Sequence, residues 1–363
     1  MTWIVSRDFD LGWFFGGSVL SLAALILFFG VGVPIVVLWW IWLLVFDGPH
    51  IAAAFTRTYL DPDEWRERRD VLVRGLLVFA LGPAAIVTGL ALGHDAPFLL
   101  FLALATLYAW YHIVRQHYGF FALYRARDPA PTPFERGFET LFLYAGLWAP
   151  YIAFALGHPS ARRLLPPVPD ALRVVEAALG VVLIVGWLVM LSVYAVRTVA
   201  RGRPSPRALY LLLTVALYGV IYFVVARFEP VYGASRGPDE DFLLLSVMVT
   251  IFHNVQYLGL VWFHNRNRYA GRRGHAPAVW VNQSLLRFLG ACALFAPVYW
   301  LLACWTGVFP GCSVFVGAAV GPVTAARIGL CLWWGLALQH YYLDQKIWRV
   351  SSDGALRRHL RLA

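Results

Sequence analysis

Six of the ten histidines in this chain, His50, His112, His117, His253, His264 and His340, lie within or at the end of long apolar segments, and Asp344 follows the last of them by four positions. Imidazoles and carboxylates are costly to hold in hydrocarbon unless they pair with one another or bind something, so such a set marks a working site. Imidazole suits iron, copper and zinc, and a histidine-rich set with one or two carboxylates and open positions fits non-haem iron or zinc.

Each segment constrains the site differently. In LALQHYYLDQKIWR, His340 and Asp344 are four apart and share a helix face, so both can reach one metal or each other. In WYHIVRQHYGF, His112 and Gln116 share a face, whereas His112 and His117 stand about 140° apart on an ideal helix. Both serve one cluster only if it is wide or the helix is irregular near Gly119, and Arg115 in the same stretch needs a partner such as Asp47 or Asp344. In IFHNVQYLGLVWFHN, His253, Tyr257 and His264 fall near one face. His253 and His264 are nevertheless roughly 16 Å apart along the axis, too far to share an ion. His253 is the expected ligand there, with Asn254 and Gln256 as polar neighbours. His264, just before Asn265 and Arg266, is either a ligand or an interfacial histidine. In FDGPHIAAAFTRTY, Asp47 and His50 are three apart, and Gly48-Pro49 is expected to break the helix and free carbonyls beside them. His94, His158, His275 and His359 fall in loops or the tail and read as solvated.

The elements that must position these groups follow from composition. The chain is 60% hydrophobic and only 14% charged, against roughly a quarter charged in soluble domains, which makes it a polytopic membrane protein. Its net charge of +10 comes from arginines in short links between apolar runs, so it speaks for membrane orientation and against nucleic acid. The N-terminus lacks a short apolar core with a small-residue cleavage site and reads as a retained first span. Ten runs approach the roughly 20 residues of a spanning helix: Leu11–Gly30, Pro34–Tyr59, Val71–Leu92, Pro97–Tyr124, Glu135–Gly157, Ala171–Val199, Arg207–Phe228, Asp241–Asn265, Val281–Cys304 and Pro322–Trp348. The expected fold is all-α, a single transmembrane domain over residues 1–363. Cys292 and Cys331 fall within spans and read as inert thiols. Cys304 and Cys312 flank a loop and form a disulfide only if that loop faces an oxidising compartment.

Basic residues concentrate after every second span, including Arg66, Arg68 and Arg69, then Arg201 and Arg203, then Arg266, Arg268, Arg272 and Arg273. This places both termini in the cytoplasm of a cell whose inner membrane, expected to be bacterial, holds the protein. Spans two, four, eight and ten then run the same way, each with its histidines in the second half, so the cluster lies toward the cytoplasmic leaflet. His112 and His253 sit deeper than His50, His117 and His340 by roughly 8 to 10 Å, room for one elongated dinuclear site or two nearby ones.

The pattern resembles the integral-membrane, multi-histidine non-haem iron enzymes such as fatty-acid desaturases and hydroxylases, whose histidine boxes sit at cytosolic helix ends. GPHIAAAF and WYHIVRQHYGF are similar, over short windows, to the Pro-His-Gly box and the spaced histidine pair of the Brp/Blh-type carotene dioxygenases. Ile51 stands where that box has glycine, and no His-x-x-His-His box is present. The resemblance implies an iron oxygenase acting on a lipophilic substrate from the membrane lipid, with an electron donor that the sequence does not name. The expected ligands are His50, His112, His117, His253, His340 and Asp344, with His264 a doubtful member. Asp344 and Tyr257 are expected to act in catalysis, and Gln116 and Gln256 to orient ligands. Two other readings use the same residues: a membrane zinc hydrolase with three histidines on zinc, and a transporter or proton carrier with the histidines and Asp344 as a relay. Haem held by two facing histidines needs no motif and stays open.

Overall fold

The computed structural model describes residues 3–128, 132–158, 169–202, 204–227, 238–272, 276–307, 312, 315 and 318–362. Arg203, Arg273 and His275 lie outside them. The chain forms helices α1 (Arg7–Val31), α2 (Ile35–Arg57), α3 (Pro62–Glu67), α4 (Arg69–Leu92), α5 (Ala96–Arg127), α6 (Pro133–Gly157) and α7 (Asp170–Ala200). They are followed by α8 (Pro206–Val224), α9 (Pro238–Arg268), α10 (Pro277–Val281), α11 (Leu285–Trp305), α12 (Ala325–Ile347) and α13 (Gly354–His359). The only strands among the described residues are β1 (Ala319–Val320) and β2 (Val323–Thr324), a two-residue antiparallel pair before α12. The protein is an all-α polytopic membrane protein.

Nine helices among the described residues are long and apolar enough to cross a bilayer. The tenth expected span forms α12, 23 residues long, yet it is not one of the nine. Its second half carries Gln339, His340, Asp344, Gln345 and Lys346, and these lower its hydropathy below that of an ordinary span. α9 is the most enclosed helix, with 89% of its apolar window buried, whereas α7 is 6% buried and presents leucines and valines outward as a lipid-facing helix would.

By their contacts the residues divide into two units, 1–35 with 113–253 and 36–112 with 254–363, the chain passing from one to the other at the start of α2 and within α5 and α9. In the first unit, Trp187 of α7 donates to the Gly146 carbonyl of α6 (3.1 Å), and Tyr194 stacks on Phe142 at 4.3 Å. Gly146 is required there, because a Cβ would lie 2.7 Å from Val215 of α8. Asp10 is buried, and it accepts from the Ile4 and Val5 amides and from Tyr124.

The second unit packs α11 on α2 and α12 on α4 through glycines. A Cβ on Gly82 would meet Cys331 Sγ at 2.7 Å, and one on Gly335 would meet Phe79 at 2.4 Å. Cys331 and Cys292 are buried free thiols, while Cys304 and Cys312 are joined in a disulfide.

Gly48-Pro49 does not break α2 as its sequence suggests. Residues 42–47 form a wide π-turn in which the Gly48 amide reaches the Leu43 carbonyl, and α-helix resumes at once. Widening the turn accommodates a proline that has no N–H and whose ring would crowd an α-helical carbonyl below it. A Cβ on Gly48 would lie 2.9 Å from Leu43 O, 3.2 Å from Tyr299 Cδ1 and 3.3 Å from Ala296 Cα. Gly48→Ala is therefore expected to push α11 away and lower stability by about 1–3 kcal/mol, an overpacking cost read from thermal melting in detergent. An unchanged melting temperature would show that this contact yields freely.

Candidate metal centre

α2 and α12 bring His50 and His340 together, their Nε2 atoms 3.0 Å apart. Two imidazole nitrogens bound to one ion at about 2.0–2.1 Å stand roughly 3 Å apart when adjacent in an octahedron and about 3.4 Å apart in a tetrahedron. The observed spacing is that of neighbouring ligands. His112 of α5 joins them, its ring centroid 5.1 Å from that of His340. His253 of α9 completes a group whose ligand nitrogens all lie within 4.8 Å of one another. All four histidines are buried.

Asp344 contributes through the expected one-turn spacing. Its Oδ2 lies 3.5 Å from His340 Nε2 and 3.8 Å from His112 Nε2. Its Oδ1 accepts a 2.6 Å hydrogen bond from the Tyr257 hydroxyl. One carboxylate oxygen is thus held by a phenol and the other faces the imidazoles, the posture of a metal ligand or of a carboxylate that orients one. Tyr257 also walls the cluster, with its ring 4.9 Å from His50 and 5.1 Å from His340. Tyr257→Phe removes the fixing hydrogen bond without removing the wall. It is expected to weaken metal binding by about 10–100-fold, the usual effect of losing an outer-shell partner, in a competition titration against a chelator. Unchanged affinity would assign Tyr257 to packing alone.

Further groups complete the surroundings, and of these Tyr341 and Tyr299 carried no signal in the sequence. Tyr341 stacks on His112 at 4.3 Å, which fixes the tilt of that imidazole. Asp47 accepts from Tyr299 (2.6 Å) and Asn254 (3.2 Å), so its carboxylate ties α2 to α11 and α9 one turn from His50. The Gln116 amide donates to the His253 carbonyl at 2.8 Å, fixing the backbone of a ligand rather than its ring. Gln256 is buried beside Tyr257 on α9.

His117 is placed differently. α5 is uninterrupted through Gly119, so His112 and His117 keep their helical divergence, and His117 enters a tyrosine pair instead. Its Nδ1 and Nε2 each lie 2.8 Å from a hydroxyl, those of Tyr210 and Tyr218. Tyr218 donates its own proton to the Val249 carbonyl at 3.1 Å. It therefore accepts from His117 Nε2–H, and Tyr210 donates to Nδ1, which makes a neutral imidazole with both nitrogens occupied.

His264 also lies outside the four. Its Nδ1 is 2.9 Å from Asn265 Oδ1, and its ring meets Trp348 and His359. Arg115 finds neither Asp47 nor Asp344: it bonds Tyr144 at 2.6 Å, because it points away from His112 on α5. Of the histidines read as solvated, His94 is exposed. His158 is buried against Phe154 instead, and burial pushes its pKa down to about 4.

No protein-family profile, no curated protein and no solved structure matches this chain. The site is therefore read from its own chemistry. Four convergent imidazoles and a carboxylate oxygen are all electron-pair donors, and crowding them in a buried space is stable only with a cation or shared protons between them. The group can hold a metal ion.

Proposed function

We propose that the protein is a membrane-embedded non-haem iron oxygenase that oxidises a lipophilic substrate drawn from the bilayer. The observation that carries this reading is the convergence of His50, His112, His253 and His340, with Asp344 Oδ2 facing two of them. Four imidazoles fill a tetrahedral zinc site, whereas catalytic zinc keeps three protein ligands and an open position for water. A six-coordinate ion with the same four imidazoles still has places for dioxygen or substrate, which favours iron. Bound iron would supply the activation of dioxygen. The chain's residues hold the imidazoles in place, keep Asp344 aimed through Tyr257, and exclude bulk water by burial of the four rings.

In this reading the centre lies toward the cytoplasmic leaflet of a bacterial inner membrane, with both termini cytoplasmic. The basic loops support that orientation. The Cys304–Cys312 bridge supports it too, because it belongs to the opposite, oxidising side of the same topology. A proton relay needs polar groups along a path to the other side, and Arg327, a cation expected on that side, is already held by both oxygens of Asp95.

Metal analysis of protein purified in detergent tests the proposal. Stoichiometric iron, with a spectrum that changes on exposure to oxygen, is the expected result. Stoichiometric zinc in a colourless, oxygen-indifferent protein would replace the oxygenase with the hydrolase. Folded protein without any bound metal would leave only the relay.

A further inference from the structure

An oxygenase that sends one atom of dioxygen to water needs two electrons from outside for each turnover, and a row of aromatic side chains leads from the histidine cluster to one polar end of the second unit. The inference rests on the reading of the cluster as a redox metal centre. The Tyr257 ring lies 5.1 Å from His340, Trp348 lies 6.1 Å from Tyr257, His264 lies 5.7 Å from Trp348, and His359 lies 5.1 Å from His264. Every step is an edge-on contact between rings. Tyr257 and His264 are buried, and His359 on α13 reaches the surface. Electron tunnelling weakens steeply with the gap between conjugated groups, so contacting rings couple a buried centre to the surface better than aliphatic packing does.

The surface around His359 is strongly basic. Arg357, Arg358 and Arg361 of α13 and its end are exposed, as are Arg266 and Arg349. α13 is fastened to α9 here: Asn267 donates to the His359 carbonyl at 2.7 Å, and Arg361 donates to Asn267 at 3.0 Å. Four acids at this end are already engaged, Asp61 and Glu64 by Arg268, Asp353 by Arg68, and Asp63 by Arg272. Burial, with Arg268, Arg57, Arg358 and Arg272 nearby, holds the His359 imidazole below its ordinary pKa, a sign of the local positive field.

We propose that this arginine face docks an acidic one-electron carrier protein, and that electrons pass from it by way of His359, His264, Trp348 and Tyr257 to the histidine cluster. In each transfer the carrier's reduced centre loses one electron and the trivalent ion gains it to become divalent. No bond is made or broken and no proton moves in that step. The rings act as the medium and are not themselves oxidised. Charge complementarity selects an acidic partner and speeds its encounter.

Reduction of the oxidised, iron-loaded protein in detergent tests the route, with the ferric signal followed in stopped flow. Two probes are compared, a reduced acidic plant-type ferredoxin and dithionite. Arg357→Glu with Arg358→Glu is expected to slow ferredoxin reduction about tenfold or more at low salt, the difference shrinking as salt rises, with the dithionite rate unchanged. Trp348→Leu is expected to slow the ferredoxin reaction at saturation by a similar factor, and Trp348→Phe to restore most of it. Ferredoxin rates untouched by charge reversal overturn the docking face. Trp348→Leu slowing both reductants alike, or neither, overturns the aromatic route. A protein reduced by dithionite but not by ferredoxin rejects the proposal while leaving the iron centre standing. A protein reduced by neither rejects the redox reading beneath it.

Discussion

His340→Ala is expected to leave a folded protein that retains essentially no metal. His340 is the member of the cluster that meets the most of the others: its Nε2 is 3.0 Å from His50 Nε2 and 3.5 Å from Asp344 Oδ2, and its ring also contacts those of His112 and Tyr257. Losing an outer-shell partner of a metal site costs about 10–100-fold in affinity, so losing a direct ligand should exceed about 100-fold. The measurement is metal content after equilibration with a chelator, read beside the melting temperature to show that the helices remain assembled. His117→Ala supplies the contrast. Both of its nitrogens are taken by Tyr210 and Tyr218, so metal content should stay at the wild-type level. Stability should fall by about 1–3 kcal/mol as buried hydroxyls lose their partner. Full metal retention in His340→Ala, or metal loss in His117→Ala, would require a different ligand set.

The contrast between these two histidines shows what the sequence could reveal. Helical spacing placed His340 and Asp344 on one face and set His112 and His117 apart, and both relations hold because α12 and α5 are regular. Spacing within a helix says nothing of which other helix a side chain meets. The tyrosine pair around His117 comes from α8, 93 and 101 residues away, and no local pattern announces it. Tyr299, Tyr341 and Trp348 escaped notice for a related reason: aromatic residues are common in membrane spans, and only their contacts with Asp47, His112 and Tyr257 set them apart. The all-α membrane fold was legible because hydrocarbon thickness fixes span length almost independently of packing. The weaker hydropathy of α12 was passed over, because its run was read as a tenth span although the polar residues of the site lie in its second half.

The largest stability effect is expected at the polar end of the second unit. Arg268 bonds Asp61 at 2.7 Å and approaches Glu64 at 3.2 Å, and the two carboxylate side chains are only 2% and 1% exposed. Tyr269 also donates to Asp61, and Arg68 reaches both Glu64 and Asp353. Arg268→Ala therefore takes the nearest cation from two buried acids, leaving Asp61 to Tyr269 and Glu64 to the more distant Arg68, and removing one partner from a buried ionic group costs about 3–5 kcal/mol. A drop of that size should appear as a clearly lower melting temperature in detergent. An unchanged melting temperature would show that Tyr269 and Arg68 hold the two acids without it.

The wide turn at residues 42–47 bears on how α2 is indexed. An α-helical residue advances the chain by about 100°, and a π-turn absorbs one additional residue per turn. Residues before Trp42 and residues after Asp47 are therefore out of phase, and no single apolar stripe describes the whole helix. His50 looks toward His340 because of a residue count upstream of it as much as because of its own identity. For this span, a change in length by one residue between its N-terminal half and the histidine is equivalent to a change of ligand.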